Sequence, residues 1–460
     1  MECFKIYADE IKGRLDPYFY RSEFKELEVR LKNINIISFG EIIESIVNGF
    51  DYRDFSDDGL IYLRVSNIKP FGLGLTGVKK INLKYNDIAK NIKLKKGNIL
   101  LTRKGTFGVA LSVKKDSDFI ISSEIFRIIL KPNISSKYVE LILNSSICQK
   151  QFDKYKIGAI MGSLSQEAVK KIKIPLPPFE TQNRVVELMD NVYNLKKQKE
   201  TEAYQLLDSI NDYVLDELGI KLPELKDKMS YVVYADDVKE KRADAYYHQP
   251  KFEEVEKAIK NGGYELIKIN QLFNIVKDNF RFIDLKENEE KKFIEIRSID
   301  NQTGMILKDK VRIISLNNRI NNARKTIKKN DILISTRRPY LKSISFITQD
   351  YDNQIATTFF TIIRKKREDI NEFFVYVLLR NDLFINIFCR NLTITTYPVI
   401  NDSNIANLKI PLPPISVQNK IADEVKRRMQ RAKQLQEEAK KVSEEAKLNV
   451  ERIILEEEKI

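Results

Sequence analysis

Two long stretches of the chain space their apolar residues mostly by threes and fours among charges of both signs. The first stretch aligns Val185, Met189, Val192, Ala203, Leu206, Ile210, Tyr213 and Leu218, with an interruption at residues 196–200. The second aligns Ile421, Val425, Met429, Ala432, Leu435, Ala439, Val442, Ala446 and Ile453. This spacing predicts two long helices whose apolar stripes need cover, most simply from each other in an antiparallel coiled coil. Gly219 and Pro223 should stop the first helix. Elsewhere the apolar residues fall in short β-branched runs between polar turns, the pattern of strands. These runs are 61–68, 99–102 and 121–129, then 293–299, 332–335 and 355–363. Residues 138–143 and 374–379 each open a helix of roughly three to four turns by their periodicity.

The runs form one series written twice. Lys173-Ile174-Pro175-Leu176-Pro177-Pro178 returns as Lys409-Ile410-Pro411-Leu412-Pro413-Pro414, and each copy is followed by Gln-Asn (Gln182-Asn183 and Gln418-Asn419) and a long helix. Three prolines per copy exclude helix and central strand, so the hexapeptide reads as a rigid extended connector. Arg14–Phe24 is echoed by Arg242–Phe252, and Lys95–Gly105 by Lys328–Pro339. The expected architecture is α+β: two similar domains, 1–178 and 221–414, separated by long helices at 179–220 and 415–460.

A chain of 460 residues is long enough for two cores, and a net charge of +14 favours a polyanionic partner, nucleic acid before membrane. No stretch approaches the roughly 18 uncharged apolar residues of a membrane span, and the first residues lack a signal-peptide pattern. A cytoplasmic protein is expected. Cys3, Cys148 and Cys389 are far apart, and His248 is the single histidine. Neither a disulfide framework nor a His- or Cys-based metal site is expected, and no cofactor. The Leu176-Pro-Pro-Phe179 sequence puts leucine where an amino-methyltransferase needs a side chain that accepts from the target amine. Gly72-Leu73-Gly74 lacks a third glycine, no phosphate-cradling Gly-Lys-Ser/Thr loop occurs, and Asp237-Val238-Lys239 is a triplet that chance supplies in a chain with 31% charged residues.

Binding chemistry, by contrast, occurs twice. Arg103-Lys104-Gly105-Thr106 and Arg337-Arg338-Pro339-Tyr340, the latter extended to Lys342, are basic turns at strand ends. Guanidinium forks suit phosphate and the guanine edge. A second pair of loops precedes the connectors. One contains Lys156, Gly158, Gly162 and Ser163; the other contains Thr395, Thr396 and Tyr397. Small and hydroxylic residues there permit close approach to phosphate.

Together the doubled connector with its glutamine and helix, the Ile-Leu-Leu-Thr-Arg-Lys-Gly block and the Leu-Arg-Val-Ser-Asn-Ile block resemble the specificity subunit of type I restriction–modification enzymes. The chain departs from that pattern at Thr181 and Val417, where an acidic residue usually precedes the glutamine, and at Arg-Arg-Pro-Tyr in the second half. The resemblance implies a non-catalytic subunit that reads a bipartite, asymmetric double-stranded DNA target. Each domain would read one half, with the helices as a ruler. Two methyltransferase subunits would dock and modify adenine, and motor-nuclease subunits would join for restriction. The candidate DNA-binding residues are Arg64, Asn67, Arg103, Lys104, Thr106, Lys156, Ser163, Arg297, Arg337, Arg338, Tyr340, Lys342, Thr395 and Thr396. The candidate partner-interface residues are Gln182, Asn183, Gln418 and Asn419. A lone nuclease and a coiled-coil scaffold without DNA remain the alternatives.

Overall fold

The computed structural model describes residues 15–32, 34–70, 72–82, 92–158, 162–224, 230–239, 242–393 and 398–455, with residues 6 and 11. Contacts divide the chain into two compact units, residues 1–198 with 438–460 and residues 199–437.

In the first unit the run Ile99–Thr102 is an inner strand of a four-stranded antiparallel sheet, between Ile125–Leu130 and Ala110–Ser112, with Ile43–Asn48 at the far edge. All four of its residues are buried, so Ile99, Leu100 and Leu101 run on without polar alternation. A second sheet orders Lys79–Ile81, Leu60–Leu63 and Ile120–Ile121, the last two parallel. Helices Ser136–Leu143 and Ser146–Tyr155 share a core with the first sheet.

The second unit repeats the plan. Ile332–Ser335 lies between Phe360–Lys365 and Ile344–Phe346, and Lys291–Ile294 pairs parallel with Gln354–Thr357 in the other sheet. Helices Glu372–Arg380 and Asp382–Arg390 take the places of the first unit's pair. Even a buried cation recurs: Lys154 pairs with Glu28 at 2.5 Å beside Phe19, and Arg390 with Glu256 at 2.7 Å beside Tyr247.

The connectors close each globule. Lys173–Pro175 pairs antiparallel with Ile36–Ser38, and Lys409–Pro411 with Leu266–Lys268. A two-stranded ribbon tolerates proline because no third strand needs its missing donor. Leu176 and Leu412, between the prolines, donate their N–H groups to Asn35 O at 3.1 Å and Glu265 O at 3.0 Å.

Beyond the connectors run the helices Phe179–Glu217 and Ile415–Ile454. Gly219, with φ +65°, ends the first: the Ile220 N–H reaches Leu215 O at 2.9 Å and the Gly219 N–H reaches Asp216 O at 3.0 Å, a left-handed cap that satisfies the last carbonyls. Within the second unit the helices are antiparallel, since Ala203 packs with Ala432 and Leu435, Ser209 with Arg428, and Glu217 with Lys420. Within the first, Val185 and Met189 share a core with Ala446, Val450 and Ile453. The interruption at 196–200 buries no side chain, and the units divide there.

Three expectations need correction. The runs 61–68 and 293–299 are strand only as far as Leu63 and Ile294, then become single 3₁₀ turns. The cause is local: Asn67 Oδ1 takes the Arg64 N–H at 2.9 Å, and Ser298 Oγ takes the Glu295 N–H at 3.3 Å, diverting the backbone from the ladder. The runs 121–129 and 355–363 break at Ser122–Glu124 and Thr358–Phe359, so that the two halves of each belong to different sheets. The helices opened by 138–143 and 374–379 are shorter than expected, because Asn144 and Asn381 end them and a second helix follows. Among the described residues no helix is long and apolar enough to cross a membrane, and no group of three or more His, Cys, Asp or Glu could hold a metal ion.

Candidate nucleic-acid interface

The strand ends of the first unit converge on one rim. Leu63 and Ile121 pair in parallel, so Arg64 and Ser122 leave their strands side by side, with the Ser122 N–H on Leu63 O at 2.9 Å. The Arg103 N–H joins the same turn at Glu124 O, 2.9 Å. The two loops that the sequence analysis singled out separately then meet. Lys104 and Ile157 both bridge to Ser163, and the Leu164 N–H donates to Arg103 O at 2.8 Å. Lys104, Gly105 and Thr106 face solvent.

The guanidinium of Arg64 lies 5.8 Å from the Phe55 ring centre, and that of Arg103 lies 5.2 Å from Phe126. Their Nε atoms and Ser122 Oγ are all buried and have no hydrogen-bond partner among the described residues. A guanidinium fork steadied by an aromatic ring suits a phosphate oxygen or a base edge.

The second unit builds the same rim. Arg337 and Thr393 both bridge to Val399, and the Ile400 N–H donates to Thr336 O at 2.9 Å. Thr102 lies opposite Ile125, and Ser335 opposite Phe360. By that register Arg103 matches Thr336, Lys104 matches Arg337 and Gly105 matches Arg338. Sequence alone pairs Arg103-Lys104 with Arg337-Arg338; the ladders shift that pairing by one. The shift explains the glycine. Both Gly105 (φ +73°) and Arg338 (φ +47°) are left-handed, a conformation that costs a non-glycine residue about 1–2 kcal/mol. The Arg338 N–H is held on Pro398 O at 3.0 Å. Arg337 is exposed and stacks 3.6 Å over Phe359, and Tyr340 beside it is 45% exposed.

Other candidates are committed within the fold. Asn67 is buried, and its amide donates to Gly74 O at 2.8 Å, bracing a turn instead of facing outward. Lys156 Nζ binds Asp153 at 2.5 Å and the Tyr18 hydroxyl at 3.2 Å, and the Asp153 hydrogen bond raises its pKa above the ordinary lysine value. Lys342 pairs with Asp382 at 2.5 Å. Arg297 forks onto Glu295 at 2.8 and 3.0 Å but keeps an exposed side chain. Ser163 pairs with Ile157 through its backbone, and its hydroxyl donates to Ile157 O at 3.4 Å. Thr395 and Thr396 lie outside the described residues.

The glutamines after the connectors are also internal. Gln182 Nε2 donates to Pro177 O, and Gln418 Nε2 to Pro413 O, each at 2.9 Å, and both residues are buried. These carbonyls lie beyond the ends of the connector strands, and the glutamines supply their donors, so neither amide offers a surface to a partner. Asn183 is exposed; Asn419 is exposed and accepts from Asn371 at 2.8 Å. Sequence reasoning missed Phe359 and Ser122, which read as core and turn until the ladders place them at the rim.

Residues 33–205 and 261–442 each match the family described as "Type I restriction modification DNA specificity domain". A Methanocaldococcus jannaschii protein, described as the type I restriction enzyme MjaX specificity subunit, is 24% identical over 427 residues, covering 89% of this chain and 90% of that protein. The EcoBI specificity subunit of Escherichia coli is 23% identical over 220 residues, 45% of this chain and 46% of that one. Among solved structures, a chain from work on complex assembly and conformational transition of the type I R-M system matches with a TM-score of 0.51 at 14% identity, covering 92% of this chain and 96% of that one. The type I S subunit of M. genitalium matches at a TM-score of 0.41 and 13% identity, with the same coverage. The chain belongs to the type I DNA specificity family and carries two copies of its domain. It is a specificity subunit of a type I restriction–modification system.

Proposed function

We infer that this subunit reads a bipartite, asymmetric duplex DNA target, one half at the rim of each unit. Two methyltransferase subunits would supply adenine methylation and motor-nuclease subunits restriction, the chain itself performing no chemistry. The carrying observation is that both units build the rim from the same backbone bridges but dress it differently. Arg64, Arg103 and Lys104 of the first unit correspond to Glu295, Thr336 and Arg337 of the second. A shared frame with unlike side chains suits two unlike half-sites, with phosphate contacts setting position and base contacts setting sequence. The net charge of +14 adds the sequence-independent attraction.

The test is to express the chain with its methyltransferase subunit in a host free of adenine methylation and sequence the methylated sites. A bipartite motif is expected, with Arg103→Ala relaxing one half and Arg337→Ala the other. A continuous motif, both variants disturbing the same half, or methylation or cleavage by the purified chain alone would overturn the reading.

A further inference from the structure

A groove of about 470 Å³ opens in the second unit between its globule and helix Ile415–Ile454. Its floor is an aromatic trio, Phe346, Phe373 and Tyr376, with ring centres 5.2, 5.3 and 5.8 Å apart. Met305, 40% exposed, and Met429 of the helix form its walls. Its rim sets Lys308, Lys426 and Lys433 against a single carboxylate, Asp350. Lys426 and Lys433 also face Asp423 at 3.7 Å and Glu437 at 3.8 Å along the helix, but such exposed pairs hold their partners weakly and leave both ammonium groups available.

The first unit fills the same place with other chemistry. Aligning the two connectors and their glutamines puts Lys137 at Phe373, Glu140 at Tyr376 and Asp190 at Lys426, and the strand register puts Ser112 at Phe346. There Lys137 and Asp190 form a direct ion pair, so the ring that floors the second unit's groove is replaced by a charge joined to the helix. One member of the repeat joins globule and helix by an ion pair and the other presents an apolar floor with lysines at its edge.

We propose that this groove is a docking site for a protein segment that lays one aromatic or large aliphatic side chain on the floor and sets carboxylates against Lys308, Lys426 and Lys433. Apolar contact supplies the anchor, the lysines select an acidic flank, and the two methionines adapt to the shape of the inserted side chain. A nucleobase fits less well, because stacking needs an open ring face. Phe346 and Phe373 meet edge to face at 82°, and the Lys426 ammonium stands 5.0 Å over Phe373. This groove shares no residue with either DNA-reading rim, so it stands or falls apart from the DNA reading.

The test selects a random peptide library on the full chain and counter-selects on the exchange variant Phe373→Lys with Lys426→Asp, which installs the first unit's own ion pair. The expected result is peptides with one large apolar residue flanked by Asp or Glu. As synthetic peptides they should bind the exchange variant at least about tenfold more weakly than the natural chain. Should the exchange variant fail to fold, Lys308→Glu with Lys433→Glu, both exposed, makes the same comparison. Absence of groove-dependent peptides, enrichment of basic ones, or their displacement by a single-stranded oligonucleotide would overturn the proposal.

Discussion

Gly105 and Arg338 hold one backbone position with opposite side-chain chemistry. A Cβ on Gly105 meets nothing within 4 Å, so Gly105→Ala should cost only the left-handed backbone penalty, about 1 kcal/mol, read as a lowered midpoint in thermal unfolding. A larger loss would mean that the turn packs against something it does not touch here. Arg337 makes a different demand. Arg337→Ala should cost roughly 1–3 kcal/mol and relax one base position if the side chain reads a base edge. It should instead lower the salt slope of binding by about one if the side chain holds a phosphate. Binding titrations across salt and half-site variants separate these, and no change in either returns Arg337 to a solvated turn. The sequence shows the cations because charge at a strand end is visible locally. It does not show Phe359 beneath Arg337, nor the one-residue shift between Arg103 and Arg337, because both follow from which strands pair.

At the scale of elements, the connectors and long helices are legible and the strand breaks are not. Apolar spacing marks a helix along its whole length, whereas the turn at Ser122–Glu124 is three polar residues inside a run that otherwise reads as one strand. The glutamines offer a graded test. Gln418 makes three bonds, to Pro413 O at 2.9 Å, to Asp369 O at 3.3 Å and from the Asn371 N–H at 2.9 Å, whereas Gln182 has the Pro177 bond alone among the contacts described. Gln418→Leu should therefore destabilise by about 2–3 kcal/mol and Gln182→Leu by nearer 1, measured by denaturant unfolding. Glu424 offers a pH test. Hydrogen bonds from Arg427 and Arg428 hold its carboxyl at about 2, below the ordinary 4.5, and Arg428 reaches on to Ser209 of the facing helix at 3.0 Å. A depressed carboxyl stabilises the fold above its ordinary pKa, and that contribution is lost as pH falls from 4.5 toward 2. The midpoint difference between the natural chain and Glu424→Gln should be present at pH 6 and shrink toward pH 2.

At the scale of the whole molecule, the repeat was legible but the division of the helices between the units was not. Sequence boundaries at 178, 220 and 414 treat each helix as one body, while the contacts assign residues 179–198 and 438–454 to one unit and the rest of both helices to the other. The gap at 196–200 was the available signal. Ending the chain after residue 437 should leave slow hydrogen exchange in the core of the second unit, such as Ile332–Ser335, and speed it in Ile99–Thr102. The first unit would lose Ala446, Val450 and Ile453 from its core. The same division sets a timetable on the ribosome. The second unit is one continuous stretch and has all its residues once 437 has been made, but the first waits for 438–460. Until then the core that holds Val185 and Met189 lacks Ala446, Val450 and Ile453, so the unit whose synthesis starts first is the one completed last.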